Sequence, residues 1–262
     1  MYMTLLIIGN EISKRLRILW TYKTNLLTQV FTVGFIFIGV SFFLQDGKND
    51  SKALPSLLLG YLIWFYARIV IMSSSEDLVR DMQSGTLEQI YMSPVSAGLL
   101  LFGRLVALLL STTVIVAIPM ILLALLLKIQ VPLRWEEGLA LIITITGLFG
   151  FTLALSGVAL IVKQIAALAD LIQNLLLFLT GTLAPVSHFP FWLTMIAQSL
   201  PITQGIIVLR NIALQQKSLG QTWLDGSLVW LCVNSFCYLV IGILIFKWGE
   251  RIAKVRGSLG HY

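Results

Sequence analysis

The feature that most constrains this chain is a series of apolar runs long enough to cross a lipid bilayer. A helix needs about 20 apolar residues to span the hydrocarbon core. Six runs approach or exceed that length: Asn25–Leu44, Ala53–Ser75, Ala97–Leu127, Gly138–Val162, Ile165–Ala184 and Gly226–Phe246. Only 11% of the 262 residues are charged, whereas a soluble domain carries about 25%. The sequence therefore predicts an all-α integral membrane protein with six transmembrane helices, forming one domain over residues 1–262.

The distribution of lysine and arginine predicts how the chain is oriented. Basic residues are enriched in the cytoplasmic loops of membrane proteins, and here they concentrate near the two ends of the sequence, at Lys14–Lys23 and Lys247–Arg256. We therefore expect a multi-pass protein of the inner (plasma) membrane with both termini in the cytoplasm. The formal net charge of +6 suits anionic lipid headgroups, so membrane lipids are expected partners and nucleic acid is not.

Residues 1–23 show a helical pattern that differs from the spans. Apolar residues share one stripe at helical spacing, while polar and charged residues lie off it. The stripe comprises Leu5, Ile8, Ile12, Leu16 and Leu19, and the other face carries Asn10, Glu11, Lys14 and Arg17. This pattern predicts an amphipathic helix lying in the membrane interface. The alternative is a cytoplasmic extension of the first span.

Residues 185–220 are apolar but interrupted by prolines and glycines. The interruptions are Pro185, Pro190, Pro201, Gly205 and Gly220. Neither uninterrupted piece, Phe191–Leu200 or Ile202–Leu214, is long enough to cross. They predict two outer re-entrant helices before the last span, buried against protein or lining a wet cavity. The alternative, one kinked seventh span, conflicts with the charge distribution.

Residues 76–96 form the one long cytoplasmic segment. Glu76–Met82 continues the second span as a helix, and Gly85 interrupts it. Thr86 followed by Gln89 predicts a capping box that begins a second, short helix. Pro94 ends that helix, because the residue before a proline is disfavoured in helical geometry. Its apolar residues, Leu87, Ile90 and Tyr91, predict contact with a partner surface.

This segment resembles the coupling helix of ABC-2-type exporter permeases. The resemblance rests on the acidic stretch with Glu76 and Asp77, then Gly85-Thr86-Leu87-Glu88, then Ser93-Pro94, within the layout described above. In that family the segment sits in a groove of the ATP-binding subunit and transmits its closure to the membrane helices. The resemblance implies these ATPase-coupling residues: Glu76, Asp77, Gly85, Thr86, Leu87, Glu88, Tyr91 and Pro94.

The resemblance also implies two partners: a nucleotide-binding ATPase subunit and a second permease subunit, in a homodimer or heterodimer. The sequence contains no Gly-x-x-x-x-Gly-Lys-Ser/Thr loop to cradle ATP phosphates. We therefore expect a transport subunit and not an enzyme. This chain would bind no cofactor, and ATP and Mg would be held by the partner.

The start of the first span favours one branch of that superfamily. Permeases for long polysaccharides carry an arginine- and tyrosine-rich segment followed by Leu-Gly-Pro, whereas this chain has Trp20-Thr21-Tyr22-Lys23-Thr24-Asn25. This difference favours the drug- and lipid-exporting branch and an amphiphilic substrate: a lipid, a glycolipid or a drug-like compound. Two other functions stay open. One is an intramembrane lipid-modifying enzyme using Asp170, and the other is a non-catalytic scaffold that recruits a soluble partner through residues 76–96.

Polar residues inside the spans are candidates for the substrate route. In the resembled family the first, second and fifth spans line the dimer interface and that route. The candidates are Thr28, Gln29 and Thr32 in the first span and Asp170, Gln173, Asn174 and Thr180 in the fifth. Hydrogen bonding between helices is an equal alternative. Arg68 is expected either to pair with Asp170 or to extend towards the interface.

Two further expectations concern packing and metals. Gly147, Gly150 and Gly157, with Ser156, allow another helix to approach the fourth span closely. His188 has no second histidine or cysteine near it in the sequence, so no metal site is expected.

Overall fold

The computed structural model describes residues 2–44, 53–92, 97–129, 134–162 and 165–255, which form α-helices and one 3-10 turn without any strand. The helices are α1 (Tyr2–Thr21), α2 (Lys23–Leu44), α3 (Ala53–Gln83), α4 (Thr86–Met92), α5 (Ala97–Leu126), α6 (Trp135–Ala159), α7 (Ile165–Leu179), α8 (Phe191–Ser199), α9 (Pro201–Ala213), α10 (Leu219–Leu224) and α11 (Ser227–Val255). The 3-10 turn covers Val186–His188. The predicted all-α membrane fold is confirmed.

Five of the described helices are long and apolar enough to span a membrane, namely α2, α3, α5, α6 and α11, and the bent pair α8–α9 could count as a sixth span by the same criteria. Most bounds agree with the predicted runs to within a few residues. α11 continues nine residues past Phe246, as far as Val255. α5 remains one helix through Pro119.

The predicted fifth span is shorter than expected. α7 has 15 residues, which rise about 22 Å, less than the roughly 30 Å of a hydrocarbon core. The helix ends at Leu179 because Gly181 adopts a left-handed conformation, with φ of +74°. A non-helical stretch, Thr180–Ala184, replaces the last turn that the run Ile165–Ala184 predicted.

α3 is the central helix of the bundle. In its most apolar window 83% of the residues are buried, against 17% for α2. It packs against α5, α6, α7 and α9. Because α3 continues directly towards α4, it connects the buried core of the bundle with the predicted coupling segment.

The bundle has two ends, which we name the α4 end and the α9 end. Gly103 near the start of α5 packs against Ile8 of α1, and Lys254 near the end of α11 lies over Tyr91 of α4. α1, α4 and the last turn of α11 therefore share one end. At the other end, Arg210 of α9 bonds to Ser56 near the start of α3.

Helices α8 and α9 form a sharply bent pair beside α6 and α11. They meet at a 90° bend, where Pro201 lies against Gly147 of α6. The side chains of Trp230 and Asn234 on α11 donate to the carbonyl oxygens of Gln198 and Ser199, at 3.2 and 2.7 Å. These bonds satisfy backbone carbonyl groups at the bend, although Gln198 and Ser199 themselves are exposed. A bend of this size occurs both in a broken span and in a re-entrant loop, so the outer re-entrant pair stays a prediction.

Helices α6 and α11 approach each other closely through facing glycines. A Cβ atom added at Gly242 would collide with the Gly150 carbonyl oxygen, and one added at Gly249 would collide with that of Gly157. The prediction that the fourth span permits close backbone approach is confirmed, and α11 is the helix that uses it.

Candidate coupling site and polar patches

The junction between α3 and α4 is a tight turn at Gly85. Its φ of +68° lies in the left-handed region that glycine adopts without strain. Its chain neighbours aside, no atom of the part of the chain that the structure describes lies within 4 Å of where its Cβ would be. Glycine is therefore needed here for its backbone freedom and not for space. α4 begins at Thr86 as predicted.

The Thr86 hydroxyl makes a contact that the predicted capping box does not include. The Thr86 hydroxyl donates to Asp81 Oδ1 at 2.8 Å, so it ties the start of α4 back to α3. Ser84 lies 3.0 Å from the same hydroxyl. The Asp81 carboxylate, which belongs to α3, therefore closes the turn. A capping pattern within α4 does not include it.

Asp81 also belongs to a cluster of ion pairs that joins three helices. Arg104 of α5 donates to Asp81 Oδ2, and its Nε lies 4.0 Å from Glu11 of α1. Arg15 of α1 donates to Asp77 Oδ2 at 2.8 Å. We call Glu11, Arg15, Asp77, Asp81 and Arg104 the charged cluster. It connects α1, the end of α3 and the start of α5 beside the coupling segment.

The charged cluster is partly withdrawn from solvent. Arg104 and Asp81 are the most enclosed pair, with side chains 25% and 16% exposed, and Asp77 is the most exposed member at 39%. Charges at this depth attract each other more strongly than fully solvated ones. Of the predicted acidic residues, Asp77 thus has a structural partner, whereas the Glu76 side chain is exposed.

α4 presents two different faces. Ile90 is buried in the main apolar core, and the half-buried Tyr91 ring has Lys254 of α11 4.9 Å from its centroid. Burial, with the nearby Glu250 carboxylate, raises the pKa of Tyr91 above its ordinary value. Gln89 and Met92 are exposed, Met92 by 85%. Ile90 and Tyr91 therefore attach α4 to its own bundle, and among the side chains of α4 that the structure describes Met92 is the exposed apolar one.

Three predicted coupling residues receive no side-chain description. Leu87 and Glu88 lie within α4, but their side chains are outside the described part of the chain, and Pro94 lies outside the described residues altogether. Their roles stay predictions, as does that of Tyr91 towards a partner.

The polar residues of α7 form one patch. Gln173 is 3% exposed, and its Nε2 donates to Asp170 Oδ1 at 3.0 Å and to Asn174 Oδ1 at 3.2 Å. The backbone carbonyl of Gln173 accepts from the Trp64 indole of α3 at 2.9 Å. Asp170 and Asn174 are exposed. Gln173 thus anchors the patch to α3, while its two neighbours face outwards.

The remaining substrate-route candidates are not part of that patch. Thr180 is buried in the turn after α7, where its hydroxyl donates to Leu176 and lies 2.8 Å from Thr182. Thr28 and Thr32 of α2 are exposed and donate to carbonyls of their own helix, and Gln29 is half-buried. No described hydrogen bond joins the α2 residues to α7.

Arg68 and Asp170 form no ion pair in the described structure, so the first of the two alternatives for Arg68 is wrong. The Arg68 guanidinium lies 5.7 Å from the centroid of the Trp64 ring, a cation–π distance. Asp170 instead accepts from Gln173.

Sequence reasoning missed most of the charged cluster, although a signal was present. Glu11 and Arg15 are four residues apart, as are Asp77 and Asp81, and side chains at that spacing share a helix face. Two acidic residues on one helix face, near a helix carrying an arginine, can predict such a contact. Arg104 has no comparable signal in its own surroundings. Among the described residues no group of three histidine, cysteine or acidic side chains could hold a metal ion.

Two comparisons relate the chain to known proteins. Residues 21–244 match the family model described as ABC-2 family transporter protein. The chain is 24% identical over 215 residues to ABC transporter G family member 20 of Dictyostelium discoideum, with 81% of this chain and 29% of that protein aligned. The chain thus spans less than a third of the length of this relative.

Proposed function

Because the chain belongs to the ABC-2 family of transporter proteins, as the match over residues 21–244 shows, we propose that it is the membrane-spanning permease subunit of an ATP-driven exporter. A separate nucleotide-binding subunit would hold ATP and Mg and contact α4, and a second permease subunit would complete a dimer. The chain would lie in the plasma membrane, with both termini and α4 on the cytoplasmic side. The substrate would be amphiphilic and move outwards.

The observation that carries this proposal is the charged cluster beside α4. A permease must convert a movement of its partner into a movement of its spans, so the contact point needs a firm connection to them. Asp81 supplies it, because it bonds to Thr86 of α4 and to Arg104 of α5 while belonging to α3. A displacement of α4 would therefore be transmitted to the central helix α3 and to α5.

The patch on α7 supports a substrate route without identifying the substrate. Asp170 and Asn174 are exposed on a short apolar helix, and polar side chains at membrane depth are costly unless they face protein or water. A second permease subunit or an aqueous route would provide that environment. Family membership supports a transport subunit over the enzyme that Asp170 alone suggested.

The experiment is reconstitution of the full chain with the ATP-binding chain encoded in the same transcription unit. We expect ATP hydrolysis and outward movement of a fluorescent amphiphile to depend on both chains. Asp81→Asn should keep the complex assembled but lower the transport obtained per ATP hydrolysed, because the carboxylate charge that holds Arg104 is lost. Gly85→Pro and Glu88→Arg should have the same effect. Proline cannot adopt the positive φ of Gly85.

Asp225→Asn is the matched control for Asp81→Asn. Asp225 also pairs with a basic residue, Lys217 at 2.6 Å, but near α10 at the α9 end. Its loss should leave coupling unchanged. Equal transport per ATP in the Asp81→Asn variant and the wild type would contradict the proposed coupling path.

A further inference from the structure

A cavity of about 240 Å³ lies in the α9-end half of the bundle, away from the charged cluster. Side chains of α3, α5, α6 and α9 enclose it, and most of them are aliphatic. They include Leu62, Val116, Leu148, Ile202 and Leu209. Nearer the α4 end, Phe102 of α5 and Phe149 of α6 make an edge-on contact, with ring centroids 5.3 Å apart.

One carboxylate lines this otherwise apolar space. Glu137, in the first turn of α6, is only 5% exposed, and its buried Oε1 has no hydrogen-bond partner. Burial disfavours the charge of the Glu137 carboxylate, the backbone N–H and the guanidinium of Arg134 favour it, and Glu136 repels it. No described cation lies within ion-pair distance of Glu137, and Oε1 remains without a donor. A buried carboxylate oxygen without a partner is costly.

The neighbouring Glu136 provides an internal comparison. It is 7% exposed, yet its Oε2 lies 3.3 Å from Arg134 Nη2 as an ion pair without hydrogen-bond geometry. Glu136 does not line the cavity. Two adjacent carboxylates are thus buried to the same degree, and the one that lines the cavity lacks an ion-pair partner.

The other polar groups of the cavity are already satisfied. The Tyr66 hydroxyl donates to the Leu109 carbonyl at 2.9 Å, the Thr113 hydroxyl donates to the same carbonyl at 3.0 Å, and Thr144 donates to Ala140 at 2.7 Å. Among the polar groups that line the cavity, Glu137 Oε1 therefore still lacks a hydrogen-bond donor, and a cationic donor would suit its carboxylate best.

The volume limits the apolar part of a ligand. An apolar cavity of about 150 Å³ accommodates benzene, and the remaining roughly 90 Å³ equals about three water-sized groups of about 30 Å³ each. An aromatic ring with a two-carbon arm and an amine nitrogen fits that total. Leu141 lines the cavity and is 40% exposed, so the space reaches the surface of the bundle beside α6.

We propose that this cavity binds lipophilic amines, with the aromatic or aliphatic part among α3, α5, α6 and α9 and the ammonium group donating to Glu137 Oε1. A charge-assisted bond of this kind is short and roughly twice as strong as a neutral one. The site deepens the proposed function, since it names a substrate class. Binding itself requires neither ATP nor the partner subunit, so a failure of one proposal is distinguishable from a failure of the other.

The test is titration calorimetry on the full chain in detergent micelles, with empty micelles as the reference. The probe is 2-phenylethylamine, compared with 2-phenylethanol, which lacks the charge, and 3-phenylpropionate, which reverses it. For the wild type we expect the amine to bind at least tenfold more tightly than the alcohol and the acid to show no binding. No binding of the amine, or equal binding of all three, would overturn the proposal.

Three variants localise the binding. Glu137→Gln should lower the affinity for the amine at least tenfold and leave the affinity for the alcohol unchanged. Glu136→Gln should alter neither affinity. Ala117→Leu, which fills the cavity from α5, should lower the affinity for both ligands at least tenfold. Unchanged amine affinity in Glu137→Gln would overturn the assignment. If that variant does not fold, the wild-type ligand comparison and Ala117→Leu decide the question alone, and unchanged affinity in Ala117→Leu would place binding outside the cavity.

Discussion

The Arg15 guanidinium of α1 lies 2.8 Å from the Asp77 carboxylate of α3. This contact joins a helix predicted to lie on the membrane surface to the central helix, eight residues before the turn at Gly85. Together with the 4.0 Å contact between Arg104 and Glu11, it makes α1 part of the structure that surrounds the coupling segment. α1 is therefore positioned to move with α3.

Arg15→Gln should reduce transport per ATP while changing stability little. Partly exposed ion pairs contribute about 0–1 kcal/mol, so the thermal midpoint in detergent should shift only slightly. Transport per ATP should fall by a larger fraction than this small change in stability explains, because α1 would no longer move with α3. Parallel assays of melting, ATP hydrolysis and transport separate the two effects.

Two further variants control that prediction. Arg17→Gln removes a charge from an exposed position of the same helix and should behave as wild type. Reversing the pair, with Arg15→Asp and Asp77→Arg together, should restore part of the coupling lost in either single change. If the reversed pair transports no more per ATP than the single variants, the Arg15–Asp77 contact does not contribute to coupling.

Ile90 and Met92 should respond differently to substitution, although they lie two residues apart on α4. Ile90→Ala should destabilise the protein by about 2–4 kcal/mol, because a buried side chain leaves a cavity. Met92→Ser should leave the melting temperature unchanged and weaken retention of the ATP-binding subunit during purification. Loss of stability in Met92→Ser would show that the 85% exposed side chain contacts its own chain.

Gly242→Ala should destabilise the pairing of α6 with α11. The added methyl group would collide with the Gly150 carbonyl oxygen, and overpacking of this kind costs about 1–3 kcal/mol or more. Gly39→Ala in α2 is the matched control, since nothing lies within 4 Å of its added Cβ. The control should melt at or slightly above the wild-type temperature, because alanine favours helix over glycine. A similar loss in both variants would mean that backbone approach is not the cause.

Arg210→Gln should loosen the attachment of α9 to α3 and to the turn after α7. The guanidinium donates to the carbonyl oxygens of Ser56, Gly181 and Thr182, and bonds from a charged donor contribute about 1.5–3 kcal/mol each at most. We expect a stability loss of roughly 2 kcal/mol or more, measured by thermal melting. Lys217→Gln, which breaks only an exposed pair with Asp225, should cost under about 1 kcal/mol.

The apolar runs predicted most of the fold because membrane thickness imposes a length that a sequence displays directly. The short helix α4 was also predictable, since Gly85 interrupts the helical pattern before it. The early end of α7 was not, because the left-handed Gly181 is held by Arg210, 29 residues away. α10 was missed because Gly220 was interpreted as a break, whereas Ser218 and Gln221 form a capping box around it.

The candidate site was predictable in position but not in its contacts. Asp77, Gly85 and Thr86 were identified from the sequence, but the partners of Asp77 and Thr86 come from helices whose packing only the tertiary structure specifies. Glu137 gave no signal at all. Nothing in the residues around it predicts that its side chain is only 5% exposed.

The central claim is that α4 contacts the ATP-binding subunit, and site-specific photocrosslinking tests it most directly. A photoreactive phenylalanine analogue would be introduced at position 92 and, as a control, at position 224, because Met92 and Leu224 are 85% and 86% exposed at opposite ends of the bundle. In membranes containing both chains, we expect position 92 to crosslink to the ATP-binding subunit and position 224 not to. Absence of that crosslink at position 92, or an equal one at position 224, would contradict the account.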